Sequence, residues 1–269
     1  MAKTNTIGLA RAIRIKSLRM VHAAKASHIG SSLSMADILA VLYGGIMRYD
    51  PARPDWTGRD MLLVSKGHAC TIMYAVLAEV GFFDSKQLAT YGTDGTTLQG
   101  HLSHHVPGVE LSTGSLGHGL PVACGLAYAA KSDGVDRTIY AILSDGELDE
   151  GSNWEAILFA GHQQLSHLVT IVDYNKIQSF GSVKEVLDLE PLADKWRACN
   201  WHVIEVEGHD HDALKSAFNS RARNKPTVII AHTIKGKGVD FMEGQLAWHY
   251  KSPSDEQLAD AIAQLEAVK

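Results

Sequence analysis

The stretch 138-TIYAILSDGELDEGSNWEAILFAGHQQLSHLVTIVDYN-175 decides the fold of this chain. Two short apolar runs rich in β-branched residues, 138–143 and 168–172, predict buried strands. A polar loop with two glycines follows the first run, and the apolar spacing of 153–165 predicts a helix with Ser152 as its N-cap. A strand, a helix and a strand in this order predict parallel neighbouring strands in an α/β domain.

Asp145 and Asn175 come directly after the two predicted strands. Because ligands of such sheets bind beyond the carboxyl ends of the strands, we expect both side chains at one edge. Carboxylate and amide oxygens suit Mg²⁺, which commonly shares its ligands with phosphate oxygens. Gly146 lets the backbone approach a phosphate closely. The pair therefore indicates a site for a divalent cation and a diphosphate, and an ordinary strand–helix loop is the alternative.

The same unit resembles the Gly-Asp-Gly…Asn motif of thiamin-diphosphate enzymes, with Ser144 in place of the first glycine. This resemblance implies thiamin diphosphate and Mg²⁺ as cofactors, and Ca²⁺ or Mn²⁺ can substitute for the magnesium. The residues that it places at the site are Asp145, Asn175 and the carbonyl of Ile177 at the metal, with Asn175, Gly146 and Glu147 at the cofactor.

Four of the fourteen histidines lie in loops where side chains can converge. His28 lies in a small-residue loop, His68 follows the strand-like run 61–64, His101 follows a glycine, and His249 follows a later strand-like run. These four contexts, in this order, resemble the first half of transketolases. Over nearly the whole chain, the resemblance implies a three-layer α/β/α fold with a mostly parallel sheet, the diphosphate-binding (PP) module of thiamin-diphosphate enzymes.

The segment 112-STGSLGHG-119 adds to this resemblance, since it is similar to the Thr-Gly-Pro-Leu-Gly-Gln-Gly segment of transketolases. The family's roles, carried over by position, make Gly114 and Leu116 supports of the cofactor rings. Glu150 matches a glutamate that links paired cofactor sites. The resemblance implies that His68 and His249 contact the diphosphate or the developing negative charge. It implies that His28 and His101 bind the sugar hydroxyls. The catalytic residues that it implies are His28, His101 and His249.

Some positions depart from the family pattern or support only structural predictions. His118 replaces a glutamine, Ile29 replaces a proline, and Ser179 stands where an aliphatic residue often walls the thiazolium ring.

The tripeptide 209-HDH-211 predicts a turn and an N-cap. The glycine-rich segment 235-KGKGVD-240 predicts a mobile loop that closes over the diphosphate.

The end of the sequence bears on the kind of enzyme expected. Residues 254–267 predict one closing helix, with Ser254 and Gln257 in a capping box, within a single domain spanning 1–269. Transketolases need a glutamate from a pyrimidine-binding domain, for which no sequence remains. The resemblance thus predicts the N-terminal subunit of a split transketolase, acting on sugar phosphates and paired in an α2β2 heterotetramer with a C-terminal subunit that carries the pyrimidine domain and the catalytic glutamate.

Composition excludes several other classes. The formal net charge of −5 argues against a nucleic-acid surface, and no apolar run is long enough for a membrane span. Three unpatterned cysteines predict reduced thiols in a cytoplasmic protein. The functional alternatives are another thiamin enzyme, such as a 2-oxoacid dehydrogenase first component or a deoxyxylulose phosphate synthase-like protein, and a non-catalytic module with a relict cofactor site.

Overall fold

A computed structural model describes residues 5–267, which contain a five-stranded sheet in the order β1-β2-β3-β5-β4. Every neighbouring pair of strands is parallel, and Ser144 pairs with Asp173 at the end of the two predicted strands. The strand–helix–strand prediction is therefore confirmed. The strands are β1 (Met61–Val64), β2 (Ile139–Ser144), β3 (Leu168–Tyr174), β4 (His202–Glu207) and β5 (Thr227–His232).

Helices cover both faces of this sheet, and none in residues 5–267 is long and apolar enough to cross a membrane. The domain prediction for 1–269 stays a prediction, and residues 1–4 and 268–269 lie outside the described part of the chain. The α-helices are α1 (Thr6–Ala23), α2 (Ile29–Ser34), α3 (Ala36–Val41), α4 (Cys70–Glu79), α5 (Gly119–Ser132), α6 (Gly151–His162), α7 (Val183–Val186), α8 (Leu192–Ala198), α9 (His211–Asn219) and α10 (Asp255–Ala267).

The strand side chains alternate between two apolar cores, as the pleat of a sheet requires. Along β2, Tyr140 and Ile142 pack on the side of α1, α3, α4 and α9. Their neighbours Ala141 and Leu143 pack on the other side, against α5, α6 and α8. This arrangement confirms the three-layer α/β/α prediction.

The start of α6 differs from the prediction. The helix begins at Gly151, and Glu150 occupies the N-cap position without a side-chain capping bond. Ser152 already lies inside the first turn, and its hydroxyl donates to the Gly117 carbonyl (2.7 Å) instead. The prediction of Ser152 as the cap is therefore wrong, because the loop before α5 offers its hydroxyl a tertiary partner.

The predicted closing helix is confirmed as α10, together with its capping box. The Ser254 hydroxyl accepts from the Gln257 amide (3.2 Å), and the Gln257 side chain accepts from the Ser254 amide (3.0 Å). Leu265 of α10 is buried in a third core with residues of α1 and α2. Trp248 lies in the same core, so α10 supports the segment between β5 and the C-terminal helix.

Candidate active site

The loops that follow β1, β2, β3 and β5, together with the start of α2 and the segment between α4 and α5, line a cavity of about 200 Å³. Larger cavities lie elsewhere, one of about 470 Å³ beside Arg14 and one of about 700 Å³ beside Arg48, but this one joins the ends of four strands. Apart from Glu147, every residue that the sequence placed at a metal, cofactor or substrate lines it: His28, His68, His101, Gly114, Leu116, Asp145, Gly146, Asn175, Ile177 and His249.

Asp145 is a buried carboxylate at the floor of the cavity, 1 % exposed. Its oxygens accept from the amides of Gly146 (2.7 Å) and Lys176 (2.5 Å). Burial, with the nearby negative charge of Asp173, raises the pKa of Asp145 to about 7. A buried carboxylate in this position favours a cation, because a cation offsets both causes of the raised pKa.

The turn after β3 brings two more oxygens to the same edge. The Asn175 side-chain oxygen accepts from the Ile177 amide (3.2 Å). Lys176 between them adopts the left-handed conformation (φ 66°), which is uncommon for a residue other than glycine. Together with Asp145, the set is one carboxylate, one amide and one backbone carbonyl. This is an oxygen set of the kind that suits Mg²⁺.

Lys235 reaches the same place from the loop after β5. Its side chain is fully inside, 2 % exposed, and Nζ donates to the Ile177 carbonyl (2.9 Å) and contacts His249 Nδ1 (3.1 Å). Desolvation lowers the pKa of Lys235 to about 8, although the charge of Asp145 opposes that shift. The sequence predicts a mobile loop here that closes over the diphosphate. In the structure Lys235 is already packed within the site, and the Gly236 amide donates to the Gly30 carbonyl (3.0 Å).

Four histidine rings converge in the same cavity as these oxygens. The ring centroid of His28 lies 5.0 Å from that of His68, 4.9 Å from His249 and 6.3 Å from His101. The backbone amide of His28 donates to the His249 carbonyl (2.9 Å), which fixes two distant loops to each other. His28 has a φ of 71°, so it too adopts an uncommon left-handed backbone at the site.

The surroundings of three of these rings, those of His28, His68 and His249, disfavour a positive charge on them. Desolvation, followed by the charges of His101 and Lys235, lowers the pKa of His28 to about 4. Desolvation and Lys235 lower the pKa of His249 to about 3. Burial likewise holds the pKa of His68 well below its usual range. The imidazoles of His28, His68 and His249 are therefore neutral at neutral pH, and a bound anion would be met by these hydrogen-bonding rings beside the Lys235 ammonium.

Glycines allow the loops to close tightly around the cavity. Gly114 has a φ of 149°, and a Cβ there would lie 2.6 Å from the His101 ring. A Cβ on Gly146 would lie 2.9 Å from the Gln178 side chain. Ser144 and Ser179, two departures from the family motif, both line the cavity.

The match to family models decides which family this site belongs to. Residues 6–266 match the model described as "Transketolase, thiamine diphosphate binding domain". The chain belongs to the transketolase family. The assignment made from the sequence is thus confirmed for the family, the fold and the thiamine-diphosphate-binding domain.

Relatives of this transketolase chain include proteins of similar length. It is 44 % identical over 260 residues to the 6-deoxy-6-sulfo-D-fructose transketolase subunit of Clostridium sp. (strain MSTE9), covering 96 % of this chain and 94 % of the relative. It is 41 % identical over 254 residues to an apulose-4-phosphate transketolase subunit of Phocaeicola vulgatus, covering 94 % and 90 %.

Solved transketolases share the same structure. The Campylobacter jejuni transketolase superposes with a TM-score of 0.92 at 32 % identity, covering 97 % of this chain and 42 % of that one. The Leishmania mexicana transketolase gives 0.91 at 32 % identity, covering 98 % and 41 %. This chain therefore spans about two fifths of the length of these enzymes.

Two glutamates of the loop after β2 lie outside the lining of the cavity. Glu147 of this transketolase chain is fully buried behind the cavity, where its carboxylate accepts from the Ser65 hydroxyl and the Gly117 amide (2.9 Å). The carboxylate joins two loops here, and its placement at the cofactor stays a prediction. Glu150 is exposed and lies away from the cavity lining, so its linking role stays a prediction.

Sequence reasoning missed an ion pair beneath the site. Lys66 and Asp173 are both fully buried and bonded to each other. Asp173 also accepts from the hydroxyls of Ser34 (2.5 Å) and Thr233. The signal in the sequence is an Asp inside the apolar run 168–174, where an unpaired charge would be very costly.

Two further lining residues, Ser31 and Gln178, were also missed. Both lie within three residues of a predicted site residue, so proximity to the motifs was the available signal. Among residues 5–267, no group of three or more His, Cys, Asp and Glu side chains is arranged to hold a metal ion. The oxygen set at Asp145 is of a different kind, since it relies on an amide and a carbonyl.

Proposed function

We propose that this chain is the thiamin-diphosphate-binding subunit of a two-chain transketolase, which moves a two-carbon ketol unit from a ketose to an aldose. The observation that carries the proposal is the meeting of Asp145, Asn175 and Lys235 with four histidines in one cavity at the carboxyl edge of the sheet. That edge is where parallel α/β sheets bind their ligands.

The residues present fit the metal and the cofactor. Asp145, Asn175 and the Ile177 carbonyl would hold Mg²⁺, and Asp145 gives the donor set its negative charge. Lys235, His68 and His249 present an ammonium and two rings to the diphosphate. Thiamin diphosphate supplies, when bound, a nucleophilic ring carbon and an electron sink.

The other two histidines, His28 and His101, would bind the sugar. His28 and His101 line the same cavity as the metal ligands, with ring centroids 6.3 Å apart, and imidazole rings can exchange hydrogen bonds with hydroxyl groups. His249 lies between these rings and Lys235, so it can serve both the diphosphate and the reacting carbonyl oxygen. This set of four histidines favours a transketolase over other thiamin enzymes.

A second chain would complete the enzyme. The two similar relatives are named subunits, and this chain covers at least nine tenths of each. We infer a C-terminal partner that carries the pyrimidine-binding domain and the catalytic glutamate, in an α2β2 assembly located in the cytoplasm. The free, mainly buried Cys70, Cys124 and Cys199 fit a reducing compartment.

The relatives also narrow the donor class. Their names contain 6-deoxy-6-sulfo-D-fructose and apulose-4-phosphate. Both are ketoses with an anionic group away from the carbonyl. We therefore propose a donor of this class, either a sugar phosphate or a sugar sulfonate.

Co-expression with a chain encoded beside this one and carrying a pyrimidine-binding domain tests the proposal. With thiamin diphosphate and Mg²⁺, we expect the purified pair to transfer two-carbon units from a phosphorylated or sulfonated ketose, and either chain alone to be inactive. Turnover by this chain alone would overturn the two-chain proposal. Absence of transfer with every ketose donor, despite cofactor binding, would overturn the transketolase assignment.

A pair of variants tests the metal site in the same complex. Asp145→Asn removes the charged ligand, and we expect Mg²⁺-dependent binding of the cofactor to weaken by at least about 100-fold, or 2.7 kcal/mol. The matched control is Asp133→Asn, which changes an exposed aspartate at the end of α5 and should bind as the unmodified chain does. Tight binding by Asp145→Asn would exclude this carboxylate as a ligand.

A further inference from the structure

His209 lies just outside the active site and bridges two parts of the fold. It follows β4, and its side chain is 11 % exposed. Ring atom Nδ1 lies 2.6 Å from Asp37 Oδ2, and ring atom Nε2 lies 2.8 Å from the backbone nitrogen of Ile234. His209 thus connects α3 to the loop after β5.

Asp37 makes a firm anchor for this bridge. Its carboxylate is 5 % exposed, receives two nitrogens of Arg14 (2.5 and 3.0 Å) and also contacts His211 Nε2 (3.0 Å). Burial alone would raise the pKa of Asp37, but the Arg14 charge and the hydrogen bonds of both histidines hold it well below its usual range. Asp37 is therefore an ionised acceptor with a fixed position.

These contacts determine where His209 carries its proton. A backbone amide can only donate, so Nε2 must offer a lone pair to Ile234. A carboxylate can only accept, so Nδ1 must carry the hydrogen that faces Asp37. The ring is therefore neutral with its proton on Nδ1, and neither the other tautomer nor the cation can make both bonds.

The residue after Ile234 is Lys235, whose buried ammonium contacts the Ile177 carbonyl and His249. Further bonds hold the loop on the far side of Lys235, from Gly236 to Gly30 and from Gly244 to the Lys235 carbonyl (2.9 Å). The bond to His209 is what holds the Ile234 amide on the near side. We propose that His209 is a positioning residue. It ties the loop after β5 to the fixed carboxylate of Asp37 and so keeps the Lys235 ammonium inside the cavity.

This inference rests on the proposed function only where Lys235 meets a diphosphate. The placement of Lys235 can be tested on the full chain without any cofactor. Replacement of His209 by Gln or by Asn tests the two hydrogen bonds of the ring separately. The amide of Gln reaches the place of Nε2 and can still accept from Ile234, whereas the amide of Asn reaches only the place of Nδ1 and can still donate to Asp37.

The first measurement is the rate at which a small acylating reagent modifies Lys235, followed by mass spectrometry of the full-length chain. In His209→Gln we expect a rate within about threefold of the unmodified chain, since the loop bond is kept. In His209→Asn we expect at least tenfold faster modification of Lys235, with faster exchange of the Ile234 amide hydrogen. Equal rates in the two variants would overturn the proposal.

The second measurement needs no variant. Nitrogen-15 spectra of the histidine rings should show His209 as the neutral Nδ1–H tautomer at neutral pH, and a protonated Nε2 would overturn the proposal even if a variant failed to fold. In the two-chain complex, His209→Asn should raise the Kd of thiamin diphosphate about tenfold and His209→Gln less than threefold. If the unmodified complex bound no thiamin diphosphate, the proposed function would fail, while modification of Lys235 would still decide the role of His209.

Discussion

Lys235 shows how a single residue acquires its chemistry from its surroundings. The sequence predicts a glycine-rich loop that closes over the diphosphate, and in the structure the Lys235 ammonium lies among the Ile177 carbonyl, His249 and the charge of Asp145. Burial lowers its pKa to about 8, so the cation persists at neutral pH but is poorly solvated. A poorly solvated cation gains more from an anionic ligand than an exposed one does.

Replacement of Lys235 should therefore weaken binding of the diphosphate. Lys235→Met keeps most of the apolar stem and removes the charge. Because a hydrogen bond to a charged group contributes about 1.5–3 kcal/mol, we expect the Kd of thiamin diphosphate to rise about 10- to 100-fold. Calorimetric titration of the two-chain complex in the presence of Mg²⁺ measures this change.

Lys237 provides the matched control two residues along the same loop. Its side chain is one third exposed and pairs with Glu243 at 3.2 Å. Partly exposed pairs contribute little, so Lys237→Met should change the Kd by less than about threefold. Similar losses in both variants would show that the charge of the loop matters and the placement of Lys235 does not.

Helices and strands could be predicted from the sequence wherever the pattern that defines them lies within a few neighbouring residues. The apolar runs predicted β2 and β3, and Ser254 with Gln257 predicted the start of α10, because each pattern spans only a few neighbouring residues. The motifs also indicated which loops meet, because the carboxyl ends of parallel strands share one edge.

The contacts of a side chain could not be predicted where its partner lies far away in the sequence. Ser152 donates to Gly117, 35 residues away, and is therefore not a cap. Lys66 and Asp173 pair across 107 residues, and no local pattern indicates which buried aspartate has a lysine. The Glu147 carboxylate accepts from Ser65 and Gly117, which lie 82 and 30 residues away, and no local pattern indicates these partners.

Asp37 holds three elements together and should govern acid stability. It joins Arg14 of α1 to α3, to His209 and to His211, the first residue of α9. Since its folded pKa lies well below the unfolded value of about 3.9, its stabilisation is present above about pH 4 and is lost as the pH falls through the folded pKa. Asp37→Asn removes this contribution and leaves the Arg14 charge buried without its partner.

We expect Asp37→Asn to lower the free energy of unfolding at pH 7 by about 3 kcal/mol or more. The difference from the unmodified chain should shrink as the pH falls below about 4, where the unmodified chain loses the same contribution. Urea unfolding at a series of pH values measures both. Asp212→Asn, at an exposed pair with Lys215, should cost less than about 1 kcal/mol, and a pH-independent loss in Asp37→Asn would contradict the role of the charge.

For the whole molecule, the surface away from the active site bears on assembly. Apolar side chains of α5 and α6 lie exposed side by side, with the rings of Tyr128 and Phe159 6.0 Å apart and Leu158 59 % exposed. Clustered exposed apolar side chains commonly mark protein–protein contacts. In the proposed α2β2 assembly, this face is where we expect two copies of the chain to meet.

Leu158→Asp should break that contact, because a charge would be buried without a partner at the centre of the face. Light scattering of the purified two-chain complex should then give the mass of one αβ pair instead of two, with both chains still bound to each other. Leu187→Asp is the matched control, since Leu187 is similarly exposed (53 %) but lies at the end of α7. An unchanged mass in Leu158→Asp would place the contact between copies on another surface, whereas loss of the partner chain would assign this face to the partner.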